Sequence, residues 1–366
     1  MSPSPQAGIS PFQTMQARCV VCEKEARFSK LKSTLYSETK RDIDMRPITI
    51  LWSKKVSPRV DPKLFYFWQC PYCYFTADHV FFQAPFKDSS MSTTRFRKQI
   101  QKGFKDNAAY QAVLKLLIFD PGKEKSVFIS GLKLNLLACY QWELADDVVN
   151  GESIQLGSYY LRLSWMLHDL RNAMQKSPQI VLDAQNLLTS LRKIWPKFSP
   201  LEAASLEKSL NFYQQALSQS SAVHTILQEV NVRLIVARIF MKLTAMAEAK
   251  KAIITCKSRV KYYESIIRKK SSEDSHFSVQ ALADMELAHG KALALVNNVE
   301  LIYDKIDLII LDRQIKAALD VLGRHQDKSY EERLLILKEA KTPDKVISKV
   351  LPKEKKKSLM NLLKSG

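Results

Sequence analysis

Cys19-Val20-Val21-Cys22 and Cys70-Pro71-Tyr72-Cys73 put four of the six cysteines of this 366-residue chain into two C-x-x-C pairs, 47 residues apart. A two-residue spacer lets both thiols of a pair face one side of a tight turn. β-prone segments flank each pair, so each pair is expected at the tip of a hairpin. Two such tips brought together present four thiolates, the closed ligand set of a structural zinc ion. Cys19, Cys22, Cys70 and Cys73 are therefore the expected metal ligands and Zn2+ (structural) the expected cofactor. Four protein ligands leave no open position for a reacting water, which argues against a catalytic metal. A thiol redox pair at Cys70 and Cys73, or a metal-free remnant, stands as the alternative. Glycine commonly follows the second cysteine of such a turn, because the chain there takes a positive φ. Here Glu23 and Tyr74 occupy those places. His79, six residues past Cys73, is read either as a substitute ligand or base, or as an ordinary strand residue.

The rest of the chain reads as helix. Only nine glycines occur in a chain that is 46% hydrophobic, which disfavours a glycine-rich phosphate-binding fold or a turn-dense sandwich. Residues 1–16, rich in Ser, Pro and Gln, read as a flexible leader. Residues 17–90 read as a zinc-ribbon-like domain with strands over Glu25–Leu31, Ile48–Trp52 and Lys63–Gln69. Residues 95–325 form the expected helical repeat-like domain, and 326–366 short helices and a basic tail. Ser199-Pro200-Leu201-Glu202 and Ser329 with Glu332 carry capping-box spacing, and Thr342-Pro343 opens a further short helix. Asp120-Pro121-Gly122 marks a turn between a helix ending near Ile118 and one starting near Val127. The fold class is thus mainly α: a small N-terminal α+β zinc-ribbon-like domain followed by a tetratricopeptide-like helical domain.

The repeat signature is clearest at Val236, Ala237 and Phe240 followed by Ala249, Ile253 and Cys256, where small residues let two antiparallel helices approach closely. A looser copy places Leu161, Trp165 and Leu170 against Tyr213 and Ala216. A generic helical bundle would carry similar stripes. Cys139 and Cys256 fall in apolar helical patterns and read as core.

Charge adds a second theme. Lys and Arg exceed Asp and Glu by 19, a surplus that attracts polyanions. Residues 341–366 hold eight lysines against two acids, with Lys353 to Lys357 as a candidate electrostatic arm. The aromatic cluster around Trp52, Phe65, Tyr66, Phe67, Trp68, Tyr72, Tyr74 and Phe75 reads first as the core of a small domain. Its alternative role is stacking single-stranded nucleic acid beside Arg18, Arg27, Lys54, Lys55 and Arg59. No phosphate loop, dinucleotide fingerprint, H-E-x-x-H or G-x-S-x-G occurs, and His168, His224, His276, His289 and His325 fall singly on helical segments. The amino-terminal stretch lacks a basic and apolar signal, and no run reaches about 18 apolar residues, so a soluble cytoplasmic protein is expected.

Cys19-Val20-Val21-Cys22, Lys40-Arg41-Asp42-Ile43-Asp44, Pro62-Lys63-Leu64-Phe65-Tyr66 and Trp68-Gln69-Cys70-Pro71-Tyr72-Cys73 together resemble a bacterial family of uncharacterised proteins, a domain of unknown function. Residues 157–167 resemble that family's first repeat-like helix, and the resemblance spans roughly residues 16 to 260. It implies metal-binding knuckles and helical repeats, and no activity. The functional expectation is a non-catalytic, cytoplasmic interaction or scaffold protein that grips an unidentified protein partner through its helical domain. Nucleic-acid binding through the basic surface and carboxyl arm, or thiol redox chemistry, are the alternatives.

Overall fold

Strands come first along the chain, where the alternation of Glu25 to Leu31 predicts one. In the computed structural model, which describes residues 9–83, 90–118, 126–146, 153–173, 177–219, 225–272, 279–325 and 328–351, β1 (Phe12–Arg18) and β2 (Glu25–Leu31) pair antiparallel. Phe12 lies opposite Leu31, and Arg18 opposite Glu25. The ladder begins at Phe12, so residues 12–16 belong to a strand and not to a flexible leader. Ala26, Phe28 and Leu31 turn inward, as period-two alternation requires. β3 (Tyr36–Arg41) with β4 (Pro47–Trp52), and β5 (Phe67–Gln69) with β6 (Thr76–Asp78), form two more antiparallel pairs. The strand expected over Lys63–Gln69 is confined to its last three residues. Pro62–Phe65 forms a 3-10 turn instead, with Pro62 fixing φ at its start and the Asp61 side chain accepting from the Lys63 amide at 3.0 Å.

Twelve α-helices follow among the described residues, and the protein is mainly α. They are α1 (His79–Gln83), α2 (Ser90–Asp106), α3 (Ala108–Leu117), α4 (Val127–Asp146), α5 (Ser153–Asn172), α6 (Pro178–Ile194), α7 (Glu202–Ser218), α8 (Ile226–Lys242), α9 (Met246–Ser272), α10 (Val279–Gly323), α11 (Tyr330–Glu339) and α12 (Asp344–Val350). The expected ends of α3 and start of α4 are met, while the Asp120-Pro121-Gly122 turn between them lies outside the described residues. The capping box at Ser329 and Glu332 forms in both directions. The one expected at Ser199 does not. The chain stays extended through Leu201, and the Glu202 carboxylate is engaged by His168 Nδ1 at 3.0 Å and Arg171 at 3.2 Å instead of reaching back to a cap.

Residues 1–296 and 297–366 form two compact units. In the first, one buried apolar cluster runs from Cys19 through Phe67, Trp68 and Phe75 to Ile100, Leu137, Trp142, Tyr159 and Phe198. The junction expected at residues 90–95 therefore separates no cores. α4 lies at the centre of this cluster, apolar on nearly every side, with Leu132, Leu136, Leu137 and Trp142 buried. Phe28 stacks on Trp68 with ring centres 4.7 Å apart, and Phe75 meets Phe96 of α2 edge-on at 5.5 Å. Of the aromatics read first as core, Phe67, Trp68 and Phe75 are buried, Trp52, Phe65, Tyr66 and Tyr74 are half-buried, and Tyr72 is exposed. In the second unit, Leu311, Leu322, Leu337, Val346 and Ile347 form a separate small core. The basic residues from Lys353 onward, and His224 and His276, lie outside the described residues.

Two helix pairs in the first unit pack closely. α5 and α7 meet at Gly157, where an added Cβ would stand 3.1–3.2 Å from the Tyr213 ring, and Ser209 Oγ donates to the Gly157 carbonyl at 2.7 Å. α8 and α9 join through a turn in which Thr244 takes a φ of 62°. Ala237, Ala249, Ile253 and Cys256 are buried on this pair, while Val236 joins the buried cluster of Leu161, Trp165, Leu210 and Tyr213. The same seam holds the buried Glu229, which accepts from Arg259 at 2.8 and 3.1 Å, Arg233 at 2.9 Å and the Tyr263 hydroxyl at 3.1 Å. Burial alone would push this carboxyl up, but donation from Arg259 and Arg233 overrides it and holds the group below its ordinary range. A depressed folded-state pKa stabilises above the unfolded value and loses that stabilisation as pH falls. Glu229→Gln should therefore destabilise the protein by about 2 kcal/mol near neutrality. Urea denaturation of the two proteins should show the gap closing as pH drops below about 4.5.

Candidate metal centre

The β1–β2 and β5–β6 hairpins turn through the two C-x-x-C pairs with the same hydrogen bonds. In the first, the Glu23 amide donates to the Cys19 carbonyl at 2.8 Å and the Cys19 amide to the Lys24 carbonyl at 2.9 Å. In the second, the Tyr74 amide donates to Cys70 at 2.9 Å and the Cys70 amide to Phe75 at 2.8 Å. The residue after each second cysteine is left-handed, Glu23 at φ 62° and Tyr74 at φ 57°. A side chain in that region costs about 1 kcal/mol that glycine avoids. The turn is thus built against local preference, with the surrounding structure holding it.

The four sulfurs converge. All lie within 4.8 Å of one another, with Cys19 Sγ 3.6 Å from Cys73 Sγ and Cys22 Sγ 3.6 Å from Cys70 Sγ. A tetrahedral ion with metal–sulfur bonds of about 2.3 Å sets sulfur–sulfur edges of roughly 3.8 Å, so the donor set fits a metal ion. All six cysteines are free thiols. With protons as the only cations, the cluster shares its charge unevenly. Donation from Cys19 and then Cys73 holds the Cys70 thiol well below its usual range, while its hydrogen bond to Cys70 pushes Cys19 up to about 12. Cys73 is raised as well, first by Cys19. A second and third thiolate would be formed in contact with the first, and only a bound cation removes that repulsion.

His79 does not join them. It opens α1, its ring lies 5.9 Å from the Trp68 ring centre, and burial followed by the charge of Lys30 lowers its pKa. Cys139 and Cys256 are buried in helical cores, Cys139 with its thiol raised well above normal by burial.

Helices that follow the hairpins hold both turns from outside. From α2, Arg97 Nε donates to the Val20 carbonyl at 3.0 Å, Arg97 Nη1 pairs with Glu23 at 2.9 Å, and Gln101 donates to the Val21 carbonyl at 3.0 Å. From α4, Gln141 accepts from the Thr76 amide at 2.8 Å, donates to the Tyr74 carbonyl at 3.0 Å, and donates to the Tyr110 hydroxyl at 3.0 Å. Sequence reasoning missed these three residues. The signal for Gln141 was a single amide inside the apolar run Leu136 to Trp142, since a buried polar group requires designated partners. Arg97 and Gln101 are spaced i, i+4 beside the buried Phe96 and Ile100.

A family model described as uncharacterized protein conserved in bacteria (DUF2225) matches residues 12–282. The chain belongs to this family. The match takes in both knuckles and all helices from α1 to α9. No curated protein and no solved structure matches the chain. No helix among the described residues is long and apolar enough to cross a membrane.

Because Gln141 touches the second knuckle only through its backbone, Gln141→Leu should leave four cysteines in place and still weaken metal binding. A tenfold to hundredfold loss is expected in competition with a chromophoric chelator, the usual scale for outer partners of metal ligands.

Proposed function

We propose that this family member is a non-catalytic protein in which Cys19, Cys22, Cys70 and Cys73 hold a structural Zn2+, and whose helices bind a protein partner in the cytoplasm. The observation that carries the metal part is the convergence of four free thiols on two matching turns, two of their separations 3.6 Å and all within 4.8 Å. Thiolates favour zinc among common closed tetrahedral ions, and four of them leave no position for substrate. When bound, the ion supplies the positive charge that lets four thiolates share one site. A site of four thiolates would persist best in a reducing compartment, where thiols stay unoxidised.

The partner part rests on the helix pairs. Supporting a repeat-like reading are the close approach of Gly157 to Tyr213 between α5 and α7, with α6 between them in the chain, and the buried small residues Ala237, Ala249 and Cys256 of α8 and α9; repeats stack to leave extended grooves. A cavity of 440 Å³ lies where α5 and α8 face each other, lined by Ile154, Gln155, Ser158, Asn231, Val232 and Ile235 among others. Its mixture of amide, hydroxyl and aliphatic groups suits a peptide segment better than a charged small molecule.

Three measurements test this reading. Purified protein should carry one zinc per chain, and Cys70→Ser should lose it. Because the cysteines share one core with α2 to α6, chelation should lower the melting temperature of the whole first unit; an unchanged melt with chelator would refute the structural role. Asn231→Arg, at an exposed position of that lining, should abolish stoichiometric capture of a protein partner without lowering the melting temperature.

A further inference from the structure

The two knuckles differ in one respect that their shared backbone does not require. The spacer residues of the first, Val20 and Val21, are buried, whereas those of the second, Pro71 and Tyr72, are exposed, Tyr72 by 54%. The Tyr72 ring stands at the tip with Lys24 Nζ 4.9 Å from its centre. One residue before Lys24, Glu23 is paired to Arg97 of α2 and lies 3.9 Å from Arg18. From Arg97 the outward arc of α2 continues through Arg95, Lys98, Lys102 and Lys105, all exposed but for the half-buried Arg97, with Asp106 the one acid of that helix. Helical spacing puts Lys98, Lys102 and Lys105 on one side, over about 10 Å of axis. An exposed aromatic ring thus leads continuously into a row of cations on a chain already 19 charges positive.

We propose that this face, from Tyr72 and Lys24 across the first knuckle to the outer arc of α2, binds single-stranded nucleic acid. Tyr72 stacks on an unpaired base, and Lys24 and the α2 lysines meet the phosphates. A lone ring at a hairpin tip has no stacking partner in a closed duplex, whereas every unpaired base offers a π face. Cations spread along a helix side suit a flexible charged strand, which wraps to them as it sheds its counterions. The proposal goes beyond the partner-binding groove, and it rests on the metal reading only in that the cysteine cluster holds the tips together.

The test is a fluorescence anisotropy titration of the full-length protein with labelled oligodeoxythymidylate across a salt series, with zinc content measured on the same samples. The parent should bind with steep salt dependence. Tyr72→Ala should bind about tenfold more weakly at fixed salt with the slope kept, and Tyr72→Phe should restore affinity. Lys98→Gln with Lys102→Gln should lower the log–log salt slope by about 1.4, the share of two phosphate contacts on a single strand. None of these residues is a metal ligand, so each variant should keep its zinc. Parent-like binding by the variants would overturn the proposal and move any affinity to another basic segment. A zinc-loaded parent that ignores the oligonucleotide but binds phosphatidylserine vesicles would overturn it in favour of an anionic membrane surface. Tyr72-dependent binding by protein without zinc would support the surface and overturn the metal reading alone.

Discussion

Gln141 and Arg97 reach out of helices to bond the backbone of two hairpin turns, and the geometry of the cysteine cluster depends on that reach. Each turn takes a left-handed residue bearing a full side chain, Glu23 in one and Tyr74 in the other. Left alone, such a turn has no reason to persist. Gln141 fixes the carbonyl of Tyr74 itself, and Arg97 fixes both the Val20 carbonyl and the Glu23 carboxylate. The helices thereby offset the local strain and bring two separately formed hairpins within sulfur–sulfur contact.

This arrangement explains why the strand region is not an independent module. A short two-stranded ladder buries little by itself, and three of them, unpaired with one another, still lack a common sheet. Their inner faces are covered by helices instead. Phe28, Trp68 and Phe75 meet Phe82 and Phe96, and the sequence continues without a break in the core into α4 and α5. A metal ion in the cluster is then coupled to the stability of the helices, because both lean on the same buried surface.

Charged groups repeat this pattern further along. Arg46 and Lys63, on the β3–β4 turn and the 3-10 turn, both pair with Asp169 of α5, and Lys242 of α8 reaches Asp42 at 2.7 Å. The Lys40 to Asp44 segment therefore belongs to the contact between hairpin and helices. Desolvation at these partly buried sites makes the pairs matter for geometry more than for net stability.

Pieces with a local cause were legible in the chain alone: the four cysteines that cluster, the alternation in β2, the Ser329 capping box, and the small residues Ala237, Ala249 and Cys256 on the α8–α9 seam. The sequence also exposed the two positions where a positive φ had to be borne by Glu23 and Tyr74, because the spacing after a C-x-x-C turn dictates the backbone there. Where neighbours distant in sequence decide, local pattern misled. Glu202 left its cap for His168 and Arg171, the run before Cys70 yielded to the turn at Pro62, and the expected domain boundary dissolved into a shared core. Only the tertiary structure could pair Gln141 with Tyr74 and Arg97 with Glu23, since nothing in either segment specifies the other until the core brings them together. It alone decided that Val20 and Val21 turn inward while Tyr72 faces water, because the helix that covers one knuckle does not extend over the other.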